Sequence, residues 1–92
     1  MYSVYILENL SDKSWYIGCT DNLKRRLKEH INGQGGKTTK EKLDGWKLMY
    51  AEAYVDKRDA FGRERFLKSG AGRRFLKKQL CYYLGLAKTK LV

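Results

Sequence analysis

Between Trp15 and His30 the spacing of apolar residues changes from that of a strand to that of a helix, with Gly18 near the change. Trp15-Tyr16-Ile17 is a short aromatic and β-branched run. Beyond it Leu23, Leu27 and Ile31 recur every fourth residue, the buried stripe of an amphipathic helix. Thr20 or Asp21 can cap that helix and Gly33 stops it. Arg26 and His30 stand four residues apart, so they share one helix face. Gly18 reads as the turn, where a backbone without a Cβ can approach a phosphate closely. A strand end, a glycine turn and a cationic helix face together form a phosphate cradle. Whether such a cradle cuts or only binds depends on what the rest of the chain brings to it.

The flanking sequence supplies two more strands and two more helices. Tyr2 to Leu7 alternates, placing Ser3, Tyr5 and Leu7 on one face and Tyr2, Val4 and Ile6 on the other. It pairs most simply with Trp15 to Ile17 as a hairpin, which lets Tyr5 and Tyr16 face one groove. Trp46 to Tyr54 alternates again, with Trp46, Leu48, Tyr50 and Tyr54 on one parity. Asp56 is an N-cap, with Asp59 in a capping-box-like position, for a helix from Lys57 to Lys68 that ends at Ser69-Gly70. A last helix is predicted from about Arg73 to Leu84, with Phe75, Leu76, Leu80 and Leu84 buried. The order ββ-α-β-αα predicts one small α+β domain over residues 1–92, a three-stranded antiparallel sheet packed against helices.

Charge narrows the partner. The formal net charge is +10 and the sequence pI about 9.8, which favours a polyanion, with nucleic acid ahead of a membrane surface. From Lys57 to Lys78 the only acidic residues are Asp59 and Glu64. Arg73 and Arg74 of the last helix, with Lys37 and Lys40 of the glycine-rich segment 33–40, are candidate contacts to a nucleic-acid backbone. Such contacts add salt-sensitive, sequence-blind affinity. That segment lacks the G-x-x-x-x-G-K-[ST] spacing of a P-loop. No stretch approaches the roughly 18–20 continuous apolar residues of a membrane span, and the N-terminus enters a strand without a signal-peptide pattern. Cys19 and Cys81 form no CxxC pair, so reduced thiols and a cytoplasmic location are expected.

Ser3-Val4-Tyr5 followed by Tyr16-Ile17-Gly18 resembles the paired motif of the GIY-YIG nucleases. The family's helix arginine lands on Arg26, the position often held by histidine lands on His30, and the metal-binding glutamate lands on Glu64 within Arg63-Glu64-Arg65. The likeness runs from Tyr2 to about Leu80 and is greatest to compact single-domain bacterial members. Ser3 stands where the motif's name has its first glycine. Neither the asparagine nor the separate DNA-binding domain that larger members carry near their C-terminus is found after Leu84.

The resemblance implies a metal-dependent endonuclease that hydrolyses DNA phosphodiesters through a single Mg²⁺ or Mn²⁺ ion held by Glu64, which taken alone would be read as a helix salt-bridge partner. It implies that Tyr5 and Tyr16 orient or deprotonate the attacking water. Unperturbed tyrosine titrates near pH 10, and nearby cations are expected to lower that value. Arg26 can clamp the scissile phosphate through two parallel N–H donors, which a lysine cannot copy. A lone histidine near a helix end is most simply a surface residue; one turn from Arg26, His30 becomes a candidate for proton transfer or phosphate binding. Gly18 is a candidate for backbone contact with the substrate. DNA repair, branched or damaged DNA as substrate, and a protein partner that supplies specificity belong to the same expectation. Two alternatives stand beside it: an inactive nucleic-acid-binding module on the same fold, and a basic protein associated with RNA or ribosomes.

Overall fold

Val4 and Ile6 on one face of the first strand, and Tyr5 and Leu7 on the other, are all between 0% and 2% exposed in the computed structural model. A strand buried on both faces must lie at the centre of a sheet covered on both sides. The structure describes residues 1–31 and 45–86, the side chain of Ile31 excepted. Strands β1 (Tyr2–Asn9), β2 (Trp15–Thr20) and β3 (Trp46–Tyr54) form one antiparallel sheet in the order β2-β1-β3. Helix α1 (Leu23–Ile31) follows β2, and α2 (Lys57–Lys68) and α3 (Gly70–Gln79) follow β3. The predicted class and element order are those observed.

The core lies between the sheet and the α2–α3 pair. Val4 and Ile6 meet Ala60 and Leu67 of α2 and Leu76 of α3, with Ile17, Met49 and Phe75 packed around them. On the opposite face Leu7, Trp46 and Leu48 meet Leu27 and His30 of α1. Here the expected parity of β3 fails. Ile6 pairs with Tyr50 but Leu7 pairs with Leu48, so Met49 is an extra residue at a bulge. Because side-chain direction has a period of two, one inserted residue exchanges the faces. Trp46 and Leu48 turn toward α1, while Tyr50 and Tyr54 pack toward α2.

Local chemistry sets the helix ends. Strand β2 continues through Gly18 to Thr20, so Gly18 is not a turn. The cap of α1 is Asn22, whose Oδ1 accepts from Arg25 N at 3.0 Å, while Thr20 Oγ1 accepts from Asn22 N at 3.1 Å and holds the corner. Asp56 caps α2 as predicted, accepting from Arg58 N at 2.8 Å. Ser69 closes α2 through its N–H to the Phe66 carbonyl and opens α3 by accepting from Gly72 N. Helix α3 therefore begins three residues before the expected Arg73 and ends at Gln79, with turns over residues 80–85. The two helices meet so closely that a Cβ at Gly72 would lie 2.0 Å from the Phe66 carbonyl oxygen. Beyond α3, Tyr83 donates its hydroxyl to the buried Glu8 at 2.7 Å, tying the turn back to β1.

One charged link joins β3 to α2. Arg63 forks onto Glu52 at 2.8 and 3.0 Å, and the hydroxyls of Tyr50 and Tyr54 donate to the same carboxylate. Burial acts to raise the Glu52 pKa, but these donors outweigh it and hold the carboxyl below its ordinary value. Arg63 is thus engaged within the fold. Cys19 and Cys81 are free thiols, and no described helix is long and apolar enough to cross a membrane.

Candidate active site

Gly18 and Tyr5 are direct partners across the β1–β2 ladder. A Cβ at position 18 would lie 2.6 Å from the Tyr5 hydroxyl oxygen and 2.7 Å from Cζ, so the Tyr5 side chain lies across the glycine. An isolated glycine inside a strand marks such a close approach. The expected contact between Gly18 and a phosphate gives way to a different local role: Gly18 is buried and makes room for Tyr5.

The tyrosine is thereby aimed at α1. Its hydroxyl lies 2.8 Å from His30 Nε2, and both side chains are buried, at 1% and 2% exposure. Tyr16, on the same face of β2, sets its ring edge-on to His30 with centroids 4.7 Å apart and 6.2 Å from the Tyr5 ring. Arg26, one turn before His30, hydrogen-bonds toward both tyrosines and pairs with Glu29 at 3.4 Å. The structure thus brings Tyr5, Tyr16, Arg26 and His30 into one cluster. The surface position that a lone helix-end histidine first implies is not the one observed.

The electrostatics reverse one expectation. Burial pushes the Tyr5 hydroxyl up to about 12, and Arg26 offsets this only in part. The cations were expected to lower it, but removing a phenolate from water costs more than one neighbouring guanidinium returns. Burial, then the charge of Arg26, lowers the His30 pKa below its ordinary 6.5, so its imidazole is neutral at pH 7. For Arg26, burial is outweighed by the hydrogen bonds it donates to Tyr5, Tyr16 and Glu29, which keep it protonated. We assign His30 Nε2 as the acceptor and the Tyr5 hydroxyl as the donor, because the neutral ring offers one acceptor nitrogen and Arg26 offers only donors.

Glu64 stands on α2 and shares a cleft with Tyr16. It lines a cleft of about 360 Å³ together with Trp15, Tyr16, Ile17, Lys68 and Arg73. Tyr16 therefore belongs both to this cleft and to the Tyr5–His30 pair. The Glu64 side chain is 21% exposed and pairs with Lys68 at 3.1 Å. Among the described residues no three His, Cys, Asp or Glu side chains gather as a ready-made metal cage. A single accessible carboxylate beside a cleft nonetheless fits Mg²⁺, which keeps several waters and is commonly held by one or two carboxylates and substrate phosphates.

The other candidates separate. Arg73 stands at the cleft, whereas Arg74 lines a distinct recess with Ala71, Phe75 and Lys78. Lys37 and Lys40 lie outside the described residues. Trp15 and Lys68 are the cleft residues that sequence reasoning missed. Trp15, read in the sequence only as part of a strand, packs against the core cluster. The i, i+4 spacing of Glu64 and Lys68 was the available signal for their pairing.

Comparison with known proteins gives the family and the fold. The model of the GIY-YIG catalytic domain matches residues 1–79. A UPF0213 protein of Clostridium perfringens is 44% identical over 68 residues, covering 74% of this chain and 71% of that one. A UPF0213 protein of Streptococcus pneumoniae is 42% identical over 65 residues, covering 71% of this chain and 64% of that one. The solution NMR structure of a UPF0213 protein from Bacillus halodurans superposes with a TM-score of 0.52 at 36% identity, covering 92% of this chain and 87% of that one. The chain belongs to the GIY-YIG family, whose domain implies nuclease-type activity.

Proposed function

We propose that the protein is an endonuclease that hydrolyses DNA phosphodiesters with one divalent ion, Mg²⁺ or Mn²⁺. The observation that carries this reading is the double membership of Tyr16: it packs on the Tyr5–His30 pair and lines the cleft that holds Glu64. A phosphate seated there meets a proton path on one side and a carboxylate able to hold a cation on the other.

The proton path follows from the two pKa directions. Tyr5, at about 12, is no base by itself at pH 7. Its hydroxyl can take a proton from water only as it gives its own to His30 Nε2, along the 2.8 Å contact. The charge of Arg26 weakens His30 as a base, and Glu29 offsets this only in part. A phosphate clamped by Arg26 neutralises that charge and raises the affinity of His30 for the proton. Base strength is thereby tied to occupancy of the site. Glu64 would hold the ion after release from Lys68, and the bound ion supplies charge stabilisation on the phosphate oxygens.

The net charge of +10 supports a nucleic-acid substrate, and the free cations of α3 support binding through the backbone rather than through base edges. Branched or damaged DNA and a protein partner that adds specificity are consistent with a small catalytic domain, and DNA repair is the corresponding role in the cytoplasm. The test is a cleavage panel of duplex, single-stranded, flap and branched DNA, with an RNA control, in Mg²⁺, in Mn²⁺ and in chelator. Metal-dependent nicking of at least one DNA is expected. Binding without cleavage under every condition would favour an inactive module, and preference for RNA a ribosome- or RNA-associated protein.

A further inference from the structure

The guanidinium of Arg73 lies over the Trp15 ring, 4.5 Å from its centroid, at the cleft that Tyr16 and Glu64 also line. We infer that Arg73 is the seat for a phosphate neighbouring the scissile one, and that Trp15 is the positioning residue that holds it there. The inference rests on the endonuclease reading and extends it to the path of the strand through the cleft.

The cations of this molecule are in unequal states. Arg25, Arg26, Arg58 and Arg63 each pair with a carboxylate. Arg73 makes neither an ion pair nor a side-chain hydrogen bond among the described residues, yet it is not a loose surface chain. Stacking on the indole fixes the plane of its guanidinium without consuming any of its N–H donors. A planar cation with five free donors, held in one orientation, is suited to donate to two phosphate oxygens side by side. Its ordering cost is met before the ligand arrives, which raises the affinity each contact delivers.

Location selects the phosphate. Arg26 belongs with Tyr5 and His30, whereas Arg73 shares the Glu64 cleft with Tyr16 and stands on a different element. A strand whose scissile phosphate sits at Tyr16, between Arg26 and an ion on Glu64, leads its neighbouring phosphate toward the Arg73 side of the same cleft. Arg74, the next residue, faces its own recess, so the two arginines differ in role despite their adjacency. Trp15 is anchored by the core cluster beneath it and cannot readily follow the guanidinium if it swings away.

Two measurements on the full chain test this. In chelator, DNA affinity is titrated against salt for the wild type, Arg73→Met, Trp15→Leu and Trp15→Phe. Arg73→Met should lower the slope of log affinity against log salt by about one unit, as loss of one phosphate contact does. Trp15→Leu should weaken binding in the same direction although the charge is unchanged, Trp15→Phe should restore it, and the double variant Trp15→Leu with Arg73→Met should be no weaker than Arg73→Met. In Mg²⁺, cleavage is read at every bond of oligonucleotides that carry a single methylphosphonate. The wild type should show suppressed cleavage at a fixed offset from the neutral phosphate, on the order of tenfold for one charge-assisted contact, and Arg73→Met should lose that suppression. Arg73→Met should also raise KM with kcat retained. A wild-type salt slope and interference pattern in Arg73→Met would overturn this inference alone. Absence of all DNA binding by the wild type would overturn the endonuclease reading and this inference together.

Discussion

Gly18 and Tyr5 share one space: the tyrosine hydroxyl oxygen lies 2.6 Å from where a Cβ on residue 18 would be. The hydroxyl reaches His30 because the ring can lie across a residue that has no side chain. The glycine in the motif's Tyr16-Ile17-Gly18 is therefore a requirement of the Tyr5 ring's position.

Gly18→Ala should displace the Tyr5 ring, because the clash involves the aromatic side chain packed beneath α1. Overpacking of this kind costs about 1–3 kcal/mol. Urea denaturation should show that loss together with a collapse in turnover. A variant as stable and active as the wild type would mean that Tyr5 can move without consequence.

Tyr5→Phe keeps the ring and removes the relay. It also leaves buried His30 Nε2 without this donor, a loss of about 1–3 kcal/mol. General acid–base catalysis contributes roughly 10²–10⁴-fold, and a fall of that order is expected in single-turnover cleavage. Retained turnover would take Tyr5 out of the proton path.

His30 makes stability depend on pH with a definite sign. Its folded pKa lies below the ordinary 6.5, through burial and then through Arg26, so in the window below 6.5 the unfolded chain binds more protons. Stability should fall as the pH drops from 7 toward 5, and the fall should be smaller in His30→Gln. Thermal melts across that range measure it. Identical pH slopes for the two proteins would contradict a buried neutral imidazole.

Arg26→Lys preserves charge and removes the fork. Losing a well-placed transition-state donor costs on the order of 2.7–4 kcal/mol, so turnover should fall by two orders of magnitude or more. Single-turnover rates decide the matter, and an unchanged rate would count against the clamp.

The sequence carried much of this because the site is built from local periodicities. Alternation in β1 and β2 allowed Tyr5 and Tyr16 to share one face, which the register of the ladder then fixed, and the i, i+4 spacing on α1 put Arg26 and His30 together. What escaped it depended on partners far along the chain. The extra residue Met49 is invisible in β3 alone, since a bulge exists only relative to the register of β1. Ser69 looked like the end of one helix, and its side chain also starts the next. Glu52 and Arg63 stand too far apart in the chain for any spacing to signal the pair they form once β3 and α2 are brought together. The Tyr5 pKa direction was misread for a related reason: a nearby cation can be seen in sequence spacing, whereas burial is a property of the assembled fold.

The central claim is that Glu64 completes the site begun by Tyr5, Tyr16, Arg26 and His30. Its most direct measurement compares Glu64→Ala with the wild type in Mg²⁺-dependent single-turnover cleavage, alongside DNA binding in chelator. The account predicts that cleavage is abolished while salt-dependent binding stays near that of the wild type. Equal cleavage rates for the two proteins would contradict it.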